Sequence, residues 1–143
     1  MEYIFSAIFL YFFLGLLLFI FQRSIIFNKS GHPGSPRDYN LFNTKEIMIR
    51  TVDGIDLLSW CSFGDKKLPL LVYFHGNSFH IGDRAYRIEK YIKKNWNVLL
   101  ISWRGFGGNK GKPTEKNLYN DAEAVLNWIK TNTEFNLDQT IIY

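Results

Sequence analysis

Three side chains that could take part in nucleophilic catalysis lie within six residues, directly after an apolar run. They are His75, Ser78 and His80, and Asp83 is the nearest carboxylate. A serine nucleophile needs a base within about 2.6–3.2 Å and a further group that orients the base. One short loop offers no separate element to hold these parts, so Ser78 is not predicted to be a nucleophile. His75 is interpreted as a strand-end hydrogen-bonding residue and His80 as a surface residue.

The glycine-rich segment Gly105–Lys112 is a candidate phosphate-binding loop. A Walker loop needs G-x-x-x-x-G-K-[ST], but its opening and closing positions here hold Phe106 and Pro113. The dinucleotide pattern G-x-G-x-x-G fails as well, because Lys110 stands at the last glycine position. The sequence therefore argues against nucleotide binding.

The composition gives little support for a metal, a cofactor or a nucleic-acid partner. The chain has three separated histidines and a single cysteine, Cys61, which is interpreted as a small buried packing residue. Its formal net charge is +4, and its lysine pairs are scattered instead of forming a basic stripe. We therefore expect no cofactor, no metal ion and no nucleic acid.

Two buried parallel strands are predicted to position these loops. Leu70–Phe74 and Asn97–Trp103 are short apolar runs rich in β-branched and aromatic residues, a pattern typical of strands covered on both faces. Between them lies a segment with helical spacing, for which Asp83 is the predicted N-cap. A strand, a helix and a second buried strand form the unit of a parallel sheet.

The flanking segments extend this unit to an α/β fold with antiparallel opening strands followed by parallel βαβαβ. The stretch 45–52 alternates apolar and polar residues, Asp53–Gly54 is a strong hairpin signal, and 55–63 is the predicted returning strand. Pro113–Thr114–Glu115 is predicted to start a second helix. The last four residues, 140–143, are predicted to form another strand.

In their order and spacing, these segments resemble the N-terminal half of an α/β-hydrolase, in particular the bud-emergence-type branch of membrane-anchored, serine esterase-like proteins. The resemblance spans roughly residues 27–143. The motifs that carry it are Phe74–His75–Gly76–Asn77, Ser102–Trp103–Arg104–Gly105–Phe106–Gly107, Lys112–Pro113–Thr114–Glu115 and the helical pair Asp121–Ala122. The chain departs from the branch at Gly108–Asn109, where a Ser or Thr is usual.

The resemblance implies an oxyanion hole in the loop after His75. In this superfamily the loop supplies a backbone N–H to the negative oxygen of a tetrahedral intermediate, which stabilises it by about 2.7–4 kcal/mol. We assign that N–H to Asn77, with Ser78 beside it and Gly76 permitting a tight turn. Asp121 is expected to pair with Arg104. The residues that support the motifs are His75, Arg104, Gly105, Gly107 and Asp121.

The catalytic triad of an α/β-hydrolase is expected to be missing from this chain. The family places its serine in a G-x-S-x-G elbow after the next strand, followed by the acid and the histidine, and these 143 residues contain no such elbow. We expect the domain at 45–143 to be truncated or split and inactive alone: it is either the remnant of an interrupted gene or one half of an enzyme completed by a second chain that carries the other half. If completed, it would act on an acyl ester-like substrate. The alternative is a non-catalytic, membrane-tethered module that pairs through its open sheet edge.

A membrane anchor is predicted at 1–22, followed by a linker or collar at 23–44. The 19 residues from Tyr3 to Phe21 carry no charge and could cross a hydrocarbon core of about 30 Å as a helix. The run lacks the polar stripe of a core helix and the basic start and small-residue cleavage site of a signal peptide. Arg23, Lys29 and Arg37 follow it, so the positive-inside rule predicts a single-pass protein with a cytoplasmic C-terminal domain.

Overall fold

A computed structural model describes residues 1–143 as one long N-terminal helix followed by an α/β domain. The helices are α1 (Glu2–Ile26), α2 (Ala85–Ile92) and α3 (Glu115–Asn132). The strands are β1 (Asn28–Lys29), β2 (Lys45–Arg50), β3 (Asp56–Ser62), β4 (Leu70–Phe74), β5 (Ser78–Phe79), β6 (Asn97–Ile101) and β7 (Thr140–Ile142). Short 3-10 helices cover Pro36–Tyr39, Ile81–Arg84 and Leu137–Gln139.

Five strands form the main sheet, in the order β2-β3-β6-β4-β7. The β2–β3 and β3–β6 pairs are antiparallel, whereas β4 pairs in parallel with both β6 and β7. This arrangement confirms the predicted α/β fold with an antiparallel opening pair. Because β4 and β6 are parallel neighbours, their carboxyl ends meet at one edge of the sheet, where the loops after Phe74 and Ile101 begin.

The sheet has an apolar cluster on each face, since successive side chains of a strand point to opposite faces. On one face Trp60, Tyr73 and Leu100 pack with Ile88 of α2. On the other face Val72 and other strand residues pack with α3, through the side chains Ala124, Val125 and Ile129. Cys61 lies in this second cluster, where burial raises the pKa of its thiol, as fits a packing residue.

The predicted hairpin is confirmed at Asp53–Gly54, where Gly54 has φ +80° and only glycine is unstrained. The predicted start of α3 is also confirmed, since Thr114 caps it by accepting a hydrogen bond from the Asn117 N–H. The predicted N-cap of α2 was wrong. A 3-10 turn precedes the helix, and Asp83 lies inside that turn with its carboxylate accepting the N–H of His80 at 3.2 Å.

The helix α1 extends four residues beyond the predicted end of the anchor at residue 22. Its most apolar 18-residue stretch has a mean hydropathy of 2.7, none of its residues is buried, and it is long and apolar enough to cross a membrane. The following segment, predicted as a linker or collar, contacts the domain: Leu41 lies in the α2-side cluster and the Tyr39 ring packs 5.4 Å from the Trp60 ring. This part of the segment therefore packs against the domain.

Candidate functional site

The loop after the central strand β4 holds the residues predicted for the oxyanion hole. His75 is buried, whereas Gly76 and Asn77 are exposed and Ser78 is half-buried. The reason given above for Gly76 was wrong: it has no positive φ, and a Cβ placed there would meet no atom within 4 Å. The glycine is therefore not required by the turn, and open space lies beside the backbone of this loop.

Asn77 is held on two sides while its own backbone N–H stays free. The Asn77 carbonyl accepts the N–H of Asn28 at 3.1 Å, and the Asn77 side-chain amide donates to the carbonyl of Ile26 at 2.8 Å. The hydrogen bonds of the structure include none donated by the Asn77 N–H. The parallel pairing of β1 with β5 continues this contact, with Asn28 opposite Ser78. The end of α1 thus fixes the loop and leaves one amide available for a ligand.

His75 joins the ends of the two parallel strands, as predicted for a strand-end hydrogen-bonding residue. Its carbonyl accepts the indole N–H of Trp103 at 2.7 Å, and its Nε2 lies 3.4 Å from the backbone nitrogen of Trp103. The ring packs edge-on against Phe106 with centroids 5.1 Å apart. Burial lowers the pKa of His75 to about 4, so the ring is neutral at pH 7 and holds the loops together without charge.

The structure brings together no serine–histidine pair in this loop. Ser78 makes one side-chain hydrogen bond, to the Asn77 side-chain oxygen at 3.4 Å. His80 is turned toward Asp83, with Nδ1 2.9 Å from the carboxylate. No group of three or more His, Cys, Asp or Glu side chains is close enough to hold a metal ion.

The loop after β6 is fixed by a buried network of charges around Arg104. The guanidinium is 2% exposed and donates to Asp121, which is fully buried, at 2.7 Å. The backbone N–H of Arg104 donates to the same carboxylate at 3.1 Å. The predicted Arg104–Asp121 pair is therefore present. A buried cation of this kind is stable only with good partners, and these contacts tie the loop to α3.

Sequence reasoning missed the second partner of Arg104, which is Asp53. Its carboxylate reaches from the hairpin turn and accepts two guanidinium hydrogen bonds, at 2.7 and 3.0 Å. These bonds hold the pKa of Asp53 well below its usual range. Nothing in the sequence separately indicated that Asp53 pairs with Arg104, because the hairpin turn already accounts for the pair Asp53–Gly54.

Asn109 and two glycines complete the fixed loop. The Asn109 side chain accepts the N–H of Leu58 at 3.0 Å and donates to the Ser102 carbonyl at 2.8 Å, so it binds the loop to β3. Gly105 and Gly107 have φ values of +77° and +57°, which favour glycine. A Cβ on Gly107 would also come within 2.7 Å of the Ser102 hydroxyl. Asn109, one of the two residues at which this chain departs from the related branch, therefore has a structural role.

No protein-family model matches the chain. It is 27% identical over 137 residues to the α/β-hydrolase domain-containing protein WAV2 of Arabidopsis thaliana, covering 89% of this chain and 44% of that protein. It is 27% identical over 136 residues to protein bem46 of Schizosaccharomyces pombe, covering 88% and 45%. Among solved structures, the esterase Pf2001 of Pyrococcus furiosus matches with a TM-score of 0.60 and 25% identity, covering 74% and 42%. The chain thus spans less than half the length of these relatives.

Proposed function

The chain is a homologue of α/β-hydrolase domain proteins and has their fold, and from this premise we propose that it is the membrane-anchored, oxyanion-binding part of an acyl-ester hydrolase. The observation that carries the proposal is the free backbone N–H of Asn77 at the carboxyl end of the central strand. Ligands of open α/β sheets bind at this edge.

The chemistry asked of Asn77 is the stabilisation of a negative oxygen. An ester carbonyl attacked by a serine becomes tetrahedral and places charge on that oxygen, and a fixed amide aimed at it needs no reorganisation. Asn77 fits this role because its carbonyl and its side chain are both engaged elsewhere, which restrains the residue that carries the free N–H. The open space beside Gly76 leaves room for the bound ester.

The proposal places the serine, the acid and the base outside these 143 residues. The sequence contains no G-x-S-x-G elbow, and Ser78 has no histidine within hydrogen-bonding distance. Hydrolysis then requires further residues, carried either by a longer chain or by a second one. The 143 residues alone are inactive under this proposal.

Anchoring through α1 is the second part of the proposal. The helix has 25 residues and a length of about 37 Å, enough to cross a hydrocarbon core of about 30 Å. Its side chains make no buried contacts with the domain, which suits a lipid environment. Arg23 in its last turn and Lys29 beyond it favour a cytoplasmic domain.

The experiment that tests the oxyanion role uses complementation. The chain is co-expressed with the part of bem46 that follows the matched segment, and hydrolysis of a short p-nitrophenyl ester is measured. Asn77→Pro and Asn77→Ala both remove the side-chain bonds to Ile26 and Ser78, whereas only Asn77→Pro also removes the backbone N–H. We expect Asn77→Pro to lower kcat by roughly 100- to 1,000-fold relative to Asn77→Ala.

Equal activities of the two variants would overturn the oxyanion role.

The inactivity of the chain alone is tested with a serine-reactive fluorophosphonate. Covalent labelling that is lost in Ser78→Ala would show a nucleophile within these residues and contradict that part of the proposal.

A further inference from the structure

A cleft of about 440 Å³ lies where the end of α1 and β1 meet the segment before α3. Three basic side chains line it: Arg23 from the last turn of α1, Lys29 from β1, and Lys112. The remaining lining residues are Ser24, Phe27, Asn28 and Pro113, and none is acidic. Residues distant in sequence thus bring three positive charges to one concave surface.

These three cations have no anionic partner in the protein. The six ion pairs of the structure involve other residues, such as Lys66 with Glu134 and Lys93 with Glu89. Like charges gathered in one cleft repel each other, so an anion in the cleft is favoured. Ser24 and Asn28 add a hydroxyl and an amide, which can donate hydrogen bonds to anionic oxygens.

The cleft lies at the level where the apolar part of α1 ends. Phe21 is the last apolar residue before Gln22 and Arg23. In the proposed anchored state this level is the headgroup region of the bilayer, where lipid phosphates are concentrated. Phe27 gives the cleft an apolar wall on which a lipid can rest.

We propose that this cleft binds the phosphate of an anionic phospholipid of the leaflet that faces the domain. The proposal rests on the proposed anchoring and is independent of the oxyanion role. Its ligand chemistry is a phosphate ester, and the source is the membrane, because the bilayer holds such phosphates at the height of Arg23. A bound headgroup would also neutralise Lys29 in β1, the strand that pairs with the Ser78–Phe79 strand.

The test uses the full chain in a non-ionic detergent with an equimolar mixture of phosphatidylglycerol and phosphatidylcholine. Native mass spectrometry counts the lipids that remain bound. We expect the wild type to retain phosphatidylglycerol roughly tenfold in preference to phosphatidylcholine, and Arg23→Gln/Lys29→Gln/Lys112→Gln to lose that preference. The matched control is Lys67→Gln/Lys94→Gln/Lys130→Gln, which removes the same charge from exposed lysines of the domain that form no ion pair. This control is expected to keep the preference.

The other outcomes overturn the proposal. Loss of the preference in both triple variants would indicate non-specific attraction by net charge. Loss in the presence of millimolar inorganic phosphate would identify a site for a soluble anion in place of a lipid. Carbonate extraction of the wild type from vesicles separates the failure of the headgroup site from the failure of the membrane anchor. If the chain stays in the membrane but shows no lipid preference, the headgroup site is rejected and the anchor is retained. If the chain is extracted, both proposals are rejected.

Discussion

The two loops at the carboxyl edge of the sheet follow neighbouring parallel strands but are held in different ways. The loop after β6 is fixed from within the domain, by Arg104 with its two carboxylates and by Asn109. The loop after β4 is exposed at Asn77 and is fixed by the end of α1. The comparison shows that contacts within the domain hold the loop after β6, whereas the loop after β4 is held from two sides: His75 ties its start to Trp103, and the N-terminal segment holds Asn77.

The largest expected effect comes from breaking the buried charge network. Arg104→Met leaves the carboxylate of Asp121, which is 0% exposed, without its cation. We expect a loss of about 3–5 kcal/mol in the free energy of unfolding. The measurement is urea unfolding of the full chain in detergent micelles, followed by tryptophan fluorescence.

The matched control for this prediction is Arg50→Met, which breaks the exposed pair with Asp56. Exposed pairs contribute about 0–1 kcal/mol. In Arg104→Met/Asp121→Leu, which also removes the buried carboxylate, part of the loss should be recovered. Similar losses in Arg104→Met and Arg50→Met would show that the network does not stabilise the fold.

The buried ring of His75, which joins the two loops, should make the free energy of unfolding depend on pH. The pKa of His75 is about 4 in the folded chain, below the ordinary value near 6.5, so the unfolded chain takes up the proton first as pH falls. The contribution of His75 is complete above pH 6.5 and is lost progressively between about pH 6.5 and 4, by about 3 kcal/mol in total. The measurement is urea unfolding at a series of pH values.

The control for the pH effect compares two histidine variants. His75→Asn removes the buried titrating group, so its stability should fall less between these pH values than that of the wild type. His32→Asn changes an exposed ring and should follow the wild type. The prediction fails if His75→Asn retains the full pH dependence.

Asn109→Ala should cost less than the loss of Arg104, since it removes hydrogen bonds but strands no buried charge. The Leu58 N–H and the Ser102 carbonyl would both lose their partner. We expect about 1–3 kcal/mol of destabilisation, again by urea unfolding. A loss no larger than that of the exposed Asn77→Ala variant would contradict the contrast between the two loops.

The smallest effect is expected for Asn77→Ala, which removes one exposed hydrogen bond to Ile26. Such a bond contributes about 0.5–1.5 kcal/mol, so the amides of β1 and β5 should exchange up to roughly tenfold faster while global stability barely changes. Hydrogen exchange of the full chain measures this. Faster exchange throughout the domain would mean that the contact supports the whole fold.

The elements of the sheet could be predicted from local patterns, whereas contacts across the sheet could not. The run Leu70–Phe74 was predicted as a buried strand from its apolar composition, and the Arg104–Asp121 pair was expected between two residues of the motifs that carry the family resemblance. Asp53 was missed because its contact with Arg104 spans 51 residues and its local pattern already predicts a turn. The oxyanion role of Asn77 stays a prediction, since a backbone amide leaves no signature in the residue type.

The bond between the Ile26 carbonyl and Asn77 has a mechanical consequence under the proposed anchoring. In the proposed anchored state, the uncharged run from Tyr3 to Phe21 is about 28 Å long, close to a hydrocarbon core of about 30 Å, so the tilt of α1 increases in bilayers thinner than this. Because the last turn of the helix is bonded to the loop, a change in tilt is transmitted to the Asn77 peptide. Bilayer thickness then becomes a control on the loop, and vesicles of increasing acyl length should alter the exchange rate of the Asn28 amide, which donates to the Asn77 carbonyl.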